Sequence, residues 1–188
     1  MNTFFKRIFD FIVSIILFVF LFPLFLLISL AIYINNPGPI FYRQSRVGRH
    51  GKVFQLLKFR SMVVNADKIG PYYTSKNDTR VTRMGQLLRK TSIDELPQIV
   101  NIIRGEMSFV GPRPDVLEQQ PLYTPSEWEK RHTVLPGLTG LAQALKRSEA
   151  TVEERKQLDL KYVDQQSFLL DMTILFKTCQ QVFFKGSY

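Results

Sequence analysis

From Phe11 to Ile34 the chain reads FIVSIILFVFLFPLFLLISLAIYI, with no charged side chain. A run of that length is a transmembrane-helix candidate and is too long for an ordinary signal-peptide core. No small-residue cleavage pattern follows, because Asn35, Asn36 and the turn Pro37-Gly38-Pro39 come next. The pattern therefore predicts an uncleaved anchor. Pro23, near its middle, removes a backbone donor and clashes with the preceding turn, so a kink or break is expected there. Lys6 and Arg7 precede the run, and Arg43, Arg46, Arg49 and Lys52 follow it. The positive-inside preference would hold both ends in the cytoplasm. A helix-break-helix hairpin that enters and leaves by one leaflet satisfies both signals. A plain span is the alternative, since proline also occurs in spanning helices.

Beyond the anchor the pattern shortens. IFYRQ and VFQLLKF, rich in strand formers and separated by SRVGRHGK with Gly48 and Gly51, predict a β-hairpin. Residues 61–69 read as helical, Gly70-Pro71 and KNDT as a loop, and MGQLLRK as a second helical stretch. Thr91 or Ser92 is placed to cap a helix carrying Ile93, Leu96, Ile99, Val100 and Ile103, with Gly105 near its end. Segments 109–114 and 135–140 read as Pro/Gly-punctuated loops, and 152–163 as a polar helix. The tail SFLLDMTILFKTCQQVFF is apolar around most of its circumference, which fits a membrane-surface helix or a core helix equally. The elements add up to an α+β chain, mainly helical with one short hairpin.

At 188 residues and 45% apolar composition the chain can bury a real core. Its net charge of +9 is spread along the sequence, which implies an anionic partner without choosing among lipid headgroups, nucleotide phosphates and nucleic acid. Cys179 is the single cysteine, so no internal disulfide and no cysteine-based zinc site can form.

Two segments carry candidate chemistry. Asp94 and Glu95 open a predicted helix, where acidic residues commonly do no more than complement the helix dipole. Their functional reading is a carboxylate nucleophile beside a neighbour that helps hold a divalent cation. In VGPRPD, Pro112 and Pro114 stiffen the backbone around Arg113, whose planar guanidinium suits a phosphate. Lys58, Arg60, Arg89 and Arg147 could add positive charge for an anionic substrate. The chain contains no GxxxxGK[ST], GxGxxG or HExxH motif.

Taken in order, VGRHGKVFQLLKFRSM, RKTSIDELPQIVNIIRGEMSFVGPRPD, LPGLTGLAQ and LDLKYVDQQSFLLDM resemble the small monotopic phosphoglycosyl transferases. These bacterial sugar transferases begin O-antigen, capsule and N-linked glycan assembly. The resemblance implies a re-entrant anchor over residues 1–36 and a cytosolic, interfacial catalytic domain over residues 37–188, at the cytoplasmic face of the bacterial inner membrane. It implies transfer of a phosphosugar from a UDP-sugar, with an N-acetylated amino sugar expected, onto undecaprenyl phosphate, releasing UMP. Mg2+ is the implied cofactor. By motif, Asp94 is the nucleophile forming an aspartyl-phosphosugar, Glu95 assists it with the metal, Arg113 holds phosphate and Asp159 is a further active-site carboxylate. Two positions depart from the family pattern. Phe22 stands before Pro23 where a serine is usual, and ALKRSE follows LAQ where a glycine-rich loop is usual, which puts the contact near Arg147 in question.

The alternative from another functional class is a non-catalytic, membrane-anchored adaptor binding acidic lipids or an assembly partner. Retention of both the acidic pair and the PRP loop weighs against it. A nucleic-acid binder would need a recognition helix or an aromatic-interleaved basic strand, and neither is present.

Overall fold

The computed structural model describes residues 3–70, 75, 78–146 and 150–185. Its elements are α1 (Thr3–Asn35), β1 (Phe41–Val47), β2 (Val53–Phe59), α2 (Ala66–Ile69), α3 (Arg83–Lys90), α4 (Gln98–Arg104), β3 (Ser108–Val110), α5 (Pro125–Arg131), β4 (Gly137–Thr139), α6 (Leu141–Lys146), α7 (Val152–Gln165) and α8 (Phe168–Lys185). The chain is mainly helical, with a short antiparallel hairpin, as its sequence predicts.

β1 and β2 pair antiparallel from Phe41 opposite Phe59 to Val47 opposite Val53. The turn between them uses left-handed backbone at His50 (φ 56°) and Gly51 (φ 74°), a conformation glycine adopts without steric cost. Phe54 and Leu56 point into one core cluster with Ile102, Met107, Phe109, Val110, Tyr162 and Ile174. Phe59 joins a second with Phe25, Ile28, Ile32 and Leu88. α1 thus supplies part of the core.

α1 is one continuous helix through Pro23, without the break expected there. Pro23 lies on the exposed side, where the preceding turn has room to adjust. α1 is the one helix among the described residues that is long and apolar enough to cross a membrane. Its contacts with the rest of the chain run along its length. Lys6 pairs with Asp171 at 2.6 Å, Arg7 donates to the carbonyls of Ile102 and Ile103, Val13 and Leu17 pack on the first cluster, and Phe25, Ile28 and Ile32 form the second. The opposite face exposes Ile12, Ile16, Val19, Phe20, Leu27, Leu30 and Ile34.

Three local readings need correction. The stretch read as a helix over 61–69 is helical only in α2, because Met62 is drawn into a bridge with Val81. The helix expected to start at Thr91 or Ser92 starts later. A short 3-10 turn covers Ile93–Glu95 and α4 begins after Pro97, with no side-chain cap at Ser92. The two Pro/Gly loops also contain strands, since β3 and β4 pair in parallel, Ser108 with Gly137 and Val110 with Thr139. The polar helix over 152–163 is α7, opened by a capping box in which Thr151 and Glu154 satisfy each other's backbone N–H. The tail is α8, with Asp171 and Ile174 buried and Phe168, Leu169 and Phe176 exposed, so it is at once a core helix and a surface one.

Candidate active site

Close packing at a glycine sets the first wall. A Cβ on Gly85 of α3 would lie 1.8 Å from the Ser61 carbonyl oxygen, so only glycine lets α3 approach the end of β2. One turn further, Arg89 Nε donates to Ser61 Oγ at 2.8 Å. Thr91 closes α3 by donating its hydroxyl to the Leu87 carbonyl at 2.8 Å. Ser92 then takes left-handed backbone (φ 57°), rare for a residue with a side chain and frequent where a functional group must be aimed. The turn presents Asp94 and Glu95 to the cleft.

The second wall is β2. Buried Asn101 of α4 accepts from the Leu57 N–H at 3.0 Å and donates to the Gln55 carbonyl at 2.8 Å. It stands in for a neighbouring strand and locks β2 against the helix that follows the acidic pair. Lys58 is thereby held 2.6 Å from Glu95 Oε1. The third wall is the PRP loop, leaving β3. Gly111 N–H donates to the Thr139 carbonyl and Gly137 N–H to the Pro112 carbonyl, each at 2.9 Å. A Cβ on Gly137 would come 2.1 Å from the Gly111 nitrogen, which explains the glycines of GPRP and PGLTG. Arg113 reaches Glu95 Oε1 at 2.7 Å.

The two carboxylates are therefore unlike. Burial pushes Glu95 up, but Arg113 and Lys58 outweigh it and hold the carboxyl far below its usual range. Asp94, 7% exposed, is pushed up by burial, against the pull of Lys58. Its carboxylate makes no hydrogen bond or close ion pair with the described residues, although Lys58, Arg89 and Arg113 attract its charge. The open cleft of about 2060 Å³ in which both sit has cationic walls that include Arg43, Lys58, Arg89, Lys90, Arg113 and Arg155. An anion carrying more than one charge fits this field.

Lys58, Arg89, Asp94, Glu95 and Arg113 thus converge. Arg60 lines the cleft, yet its guanidinium bonds the Asn36 carbonyl and closes the end of α1. Asp159 does not join the acidic pair. It is fully buried and accepts from Arg131 at 2.7 Å, behind the PRP loop. Arg147 lies outside the described residues. Asn101 and Arg131 escape the sequence reading because their partners are far away along the chain.

No group of three or more His, Cys, Asp or Glu among the described residues is arranged to hold a metal ion. Two adjacent carboxylates, one of them with no protein partner among those residues, suit a magnesium ion that takes its remaining ligands from substrate phosphate and water.

The family model for bacterial sugar transferases matches residues 1–185. The exopolysaccharide production protein ExoY of Sinorhizobium fredii is 41% identical, over 97% of this chain and 88% of its own. The uncharacterized sugar transferase EpsL of Bacillus subtilis is 41% identical over 94% of this chain and 86% of its own. A UDP-glucose:undecaprenyl-phosphate glucose-1-phosphate transferase of Klebsiella pneumoniae is 42% identical over 98% of this chain, a match that takes in 40% of that longer protein.

Proposed function

The chain belongs to the bacterial sugar transferase family, and from that premise we propose that it moves a sugar 1-phosphate from a UDP-sugar to undecaprenyl phosphate in two displacements on Asp94. The observation that carries this reading is the division of labour in the acidic pair. Glu95 is tied to two cations, whereas Asp94 lines the cleft with no hydrogen bond or close ion pair among the described residues. The Glu95 carboxylate is committed to its pairs, and the Asp94 oxygens stay open to a phosphorus in the cleft, with Lys58, Arg89 and Arg113 near enough to favour the charged form.

In the first step an Asp94 oxygen forms a bond to the β-phosphorus of the donor, the bond from that phosphorus to the bridging oxygen breaks, and UMP leaves with the electron pair. In the second step a phosphate oxygen of the polyprenol phosphate attacks the same phosphorus, and the Asp94 carboxylate departs. Arg113, Lys58 and Arg89 neutralise phosphate charge that would repel an anionic nucleophile. Asp94 and Glu95 would hold magnesium together with the donor phosphates, and the ion would supply further neutralisation.

The sugar expected from the sequence is an N-acetylated amino sugar. The Klebsiella relative is named for UDP-glucose, which makes glucose the first sugar to test. The division into an anchor over residues 1–36 and a catalytic domain over 37–188 is part of the same proposal. The anchor sits in one leaflet on the cytoplasmic side, and what supports this is that residues near both ends of α1 pack on the same body. Lys6 and Ile32 lie about 39 Å apart along a helix, more than the roughly 30 Å hydrocarbon thickness. A charged domain touching both cannot follow that helix through a bilayer.

The test is a screen of UDP-sugars, glucose and N-acetylglucosamine first, for UMP release by the purified full chain with undecaprenyl phosphate and magnesium. Repeated UMP release with at least one donor when both acceptor and magnesium are present, and its loss when magnesium is withheld, is expected. Failure to release UMP from any UDP-sugar would overturn the reading.

A further inference from the structure

Behind the PRP loop lies a second charged cluster, buried and out of the cleft. Arg131, the last residue of α5, is 2% exposed. Its Nη1 pairs with Asp115, and its Nη2 donates to Asp159 Oδ2 and to the backbone carbonyl of Arg113, both at 2.7 Å. Its guanidinium also lies 5.5 Å from the centre of the Tyr123 ring. A second, partly buried guanidinium supports the next carbonyl, because Arg46 Nη1 donates to Pro114 O at 2.9 Å.

Pro112 and Pro114 have no N–H to donate, which leaves the loop short of backbone donors, and the carbonyls of Arg113 and Pro114 accept instead from the side chains of Arg131 and Arg46. A buried arginine between two carboxylates is also a poor device for stability alone, since its desolvation offsets much of what the pairing returns. Its geometry does something an apolar core could not. It fixes one backbone oxygen of the residue whose side chain meets Glu95.

We propose that Arg131 is a positioning residue for Arg113, with Asp159 and Asp115 as the anchors that aim its guanidinium at the Arg113 carbonyl. Asp159 on α7 is thereby connected to the acidic pair through Arg131, the Arg113 backbone, the Arg113 side chain and Glu95. Asp159 acts at two removes from the phosphorus and does not touch substrate. This inference rests on the phosphosugar-transfer reading, through the role that reading gives Arg113.

The test is a double-mutant cycle on the detergent-solubilised full chain, with UDP as the probe, its Kd measured in magnesium buffer. Wild type, Arg131→Lys, Arg113→Ala and the double variant are compared, each with a thermal melt to check folding. Lysine keeps the positive charge between the carboxylates but cannot serve three acceptors in a fixed fork. Arg131→Lys is expected to weaken UDP binding about tenfold when Arg113 is present, and to slow UMP release by roughly ten- to a hundredfold, as a displaced catalytic group does. In the Arg113→Ala background it is expected to weaken UDP by no more than about twofold, because nothing is left to position. Asp159→Asn, which loosens one anchor while keeping its shape, is carried through the same cycle and serves if Arg131→Lys does not fold. Equal losses in the two backgrounds would make Arg131 a general structural residue and overturn the inference, as would no loss in either. A wild type that binds UDP but releases no UMP from any UDP-sugar would overturn the transfer reading on which the inference rests, which separates the two failures.

Discussion

Asp94 and Glu95 adjoin in sequence, yet one is tied by Lys58 and Arg113 and the other faces the cleft. Arg113 depends on its planar fork on a stiff loop, so Arg113→Lys should fold normally and lower UMP release by about 10²-fold, the scale of losing one well-placed donor to developing charge. Near-normal kinetics in a folded Arg113→Lys protein would demote the residue to a structural turn. Several motifs in a fixed order single out Asp94, Glu95, Lys58 and Arg113 as candidates in the sequence, and the fold brings these four together in one cleft. The place of Asp159, buried against Arg131 rather than beside the acidic pair, is not legible for the opposite reason. Its partner Arg131 is distant in sequence, so nothing local shows that the carboxylate is already paired. One signal was available: Asp115 and Asp159 both needed a cation if buried, and Arg131 ends a short capped helix just before PGLTG.

At the scale of elements, the hairpin and α7 are legible because alternation, turn glycines and a capping box are local signals. β3 and β4 are not, since three-residue strands carry no period and their pairing is set by the mutual approach of Gly111 and Gly137. Nor is the continuity of α1 through Pro23, which depends on what surrounds the proline rather than on the proline itself. The contacts along α1 lead to a topological expectation. In a Cys179→Ser background, Asn2→Cys and Lys52→Cys should be equally protected from an impermeant thiol reagent in intact cells, and both should react after lysis. Labelling of only one in intact cells would mean that α1 spans the bilayer, and the one-leaflet anchor would be wrong.

The whole molecule presents an apolar strip on α1 that no soluble monomer would leave in water, with Phe168 of α8 continuing it through an edge-to-face contact with Phe9. In the proposed reaction the anionic donor and the lipid acceptor would meet at one surface, and a covalent intermediate would let them arrive in turn. That claim separates from direct attack by polyprenol phosphate in a ternary complex with a single preparation. Enzyme is incubated with a reactive UDP-sugar and magnesium, without acceptor, and its intact mass is measured beside that of Asp94→Asn. Two-step transfer on Asp94 gives a phosphosugar adduct on the wild type, with stoichiometric UMP, and neither on Asp94→Asn. A wild type that shows no adduct and no UMP, yet turns over once acceptor is added, would contradict it.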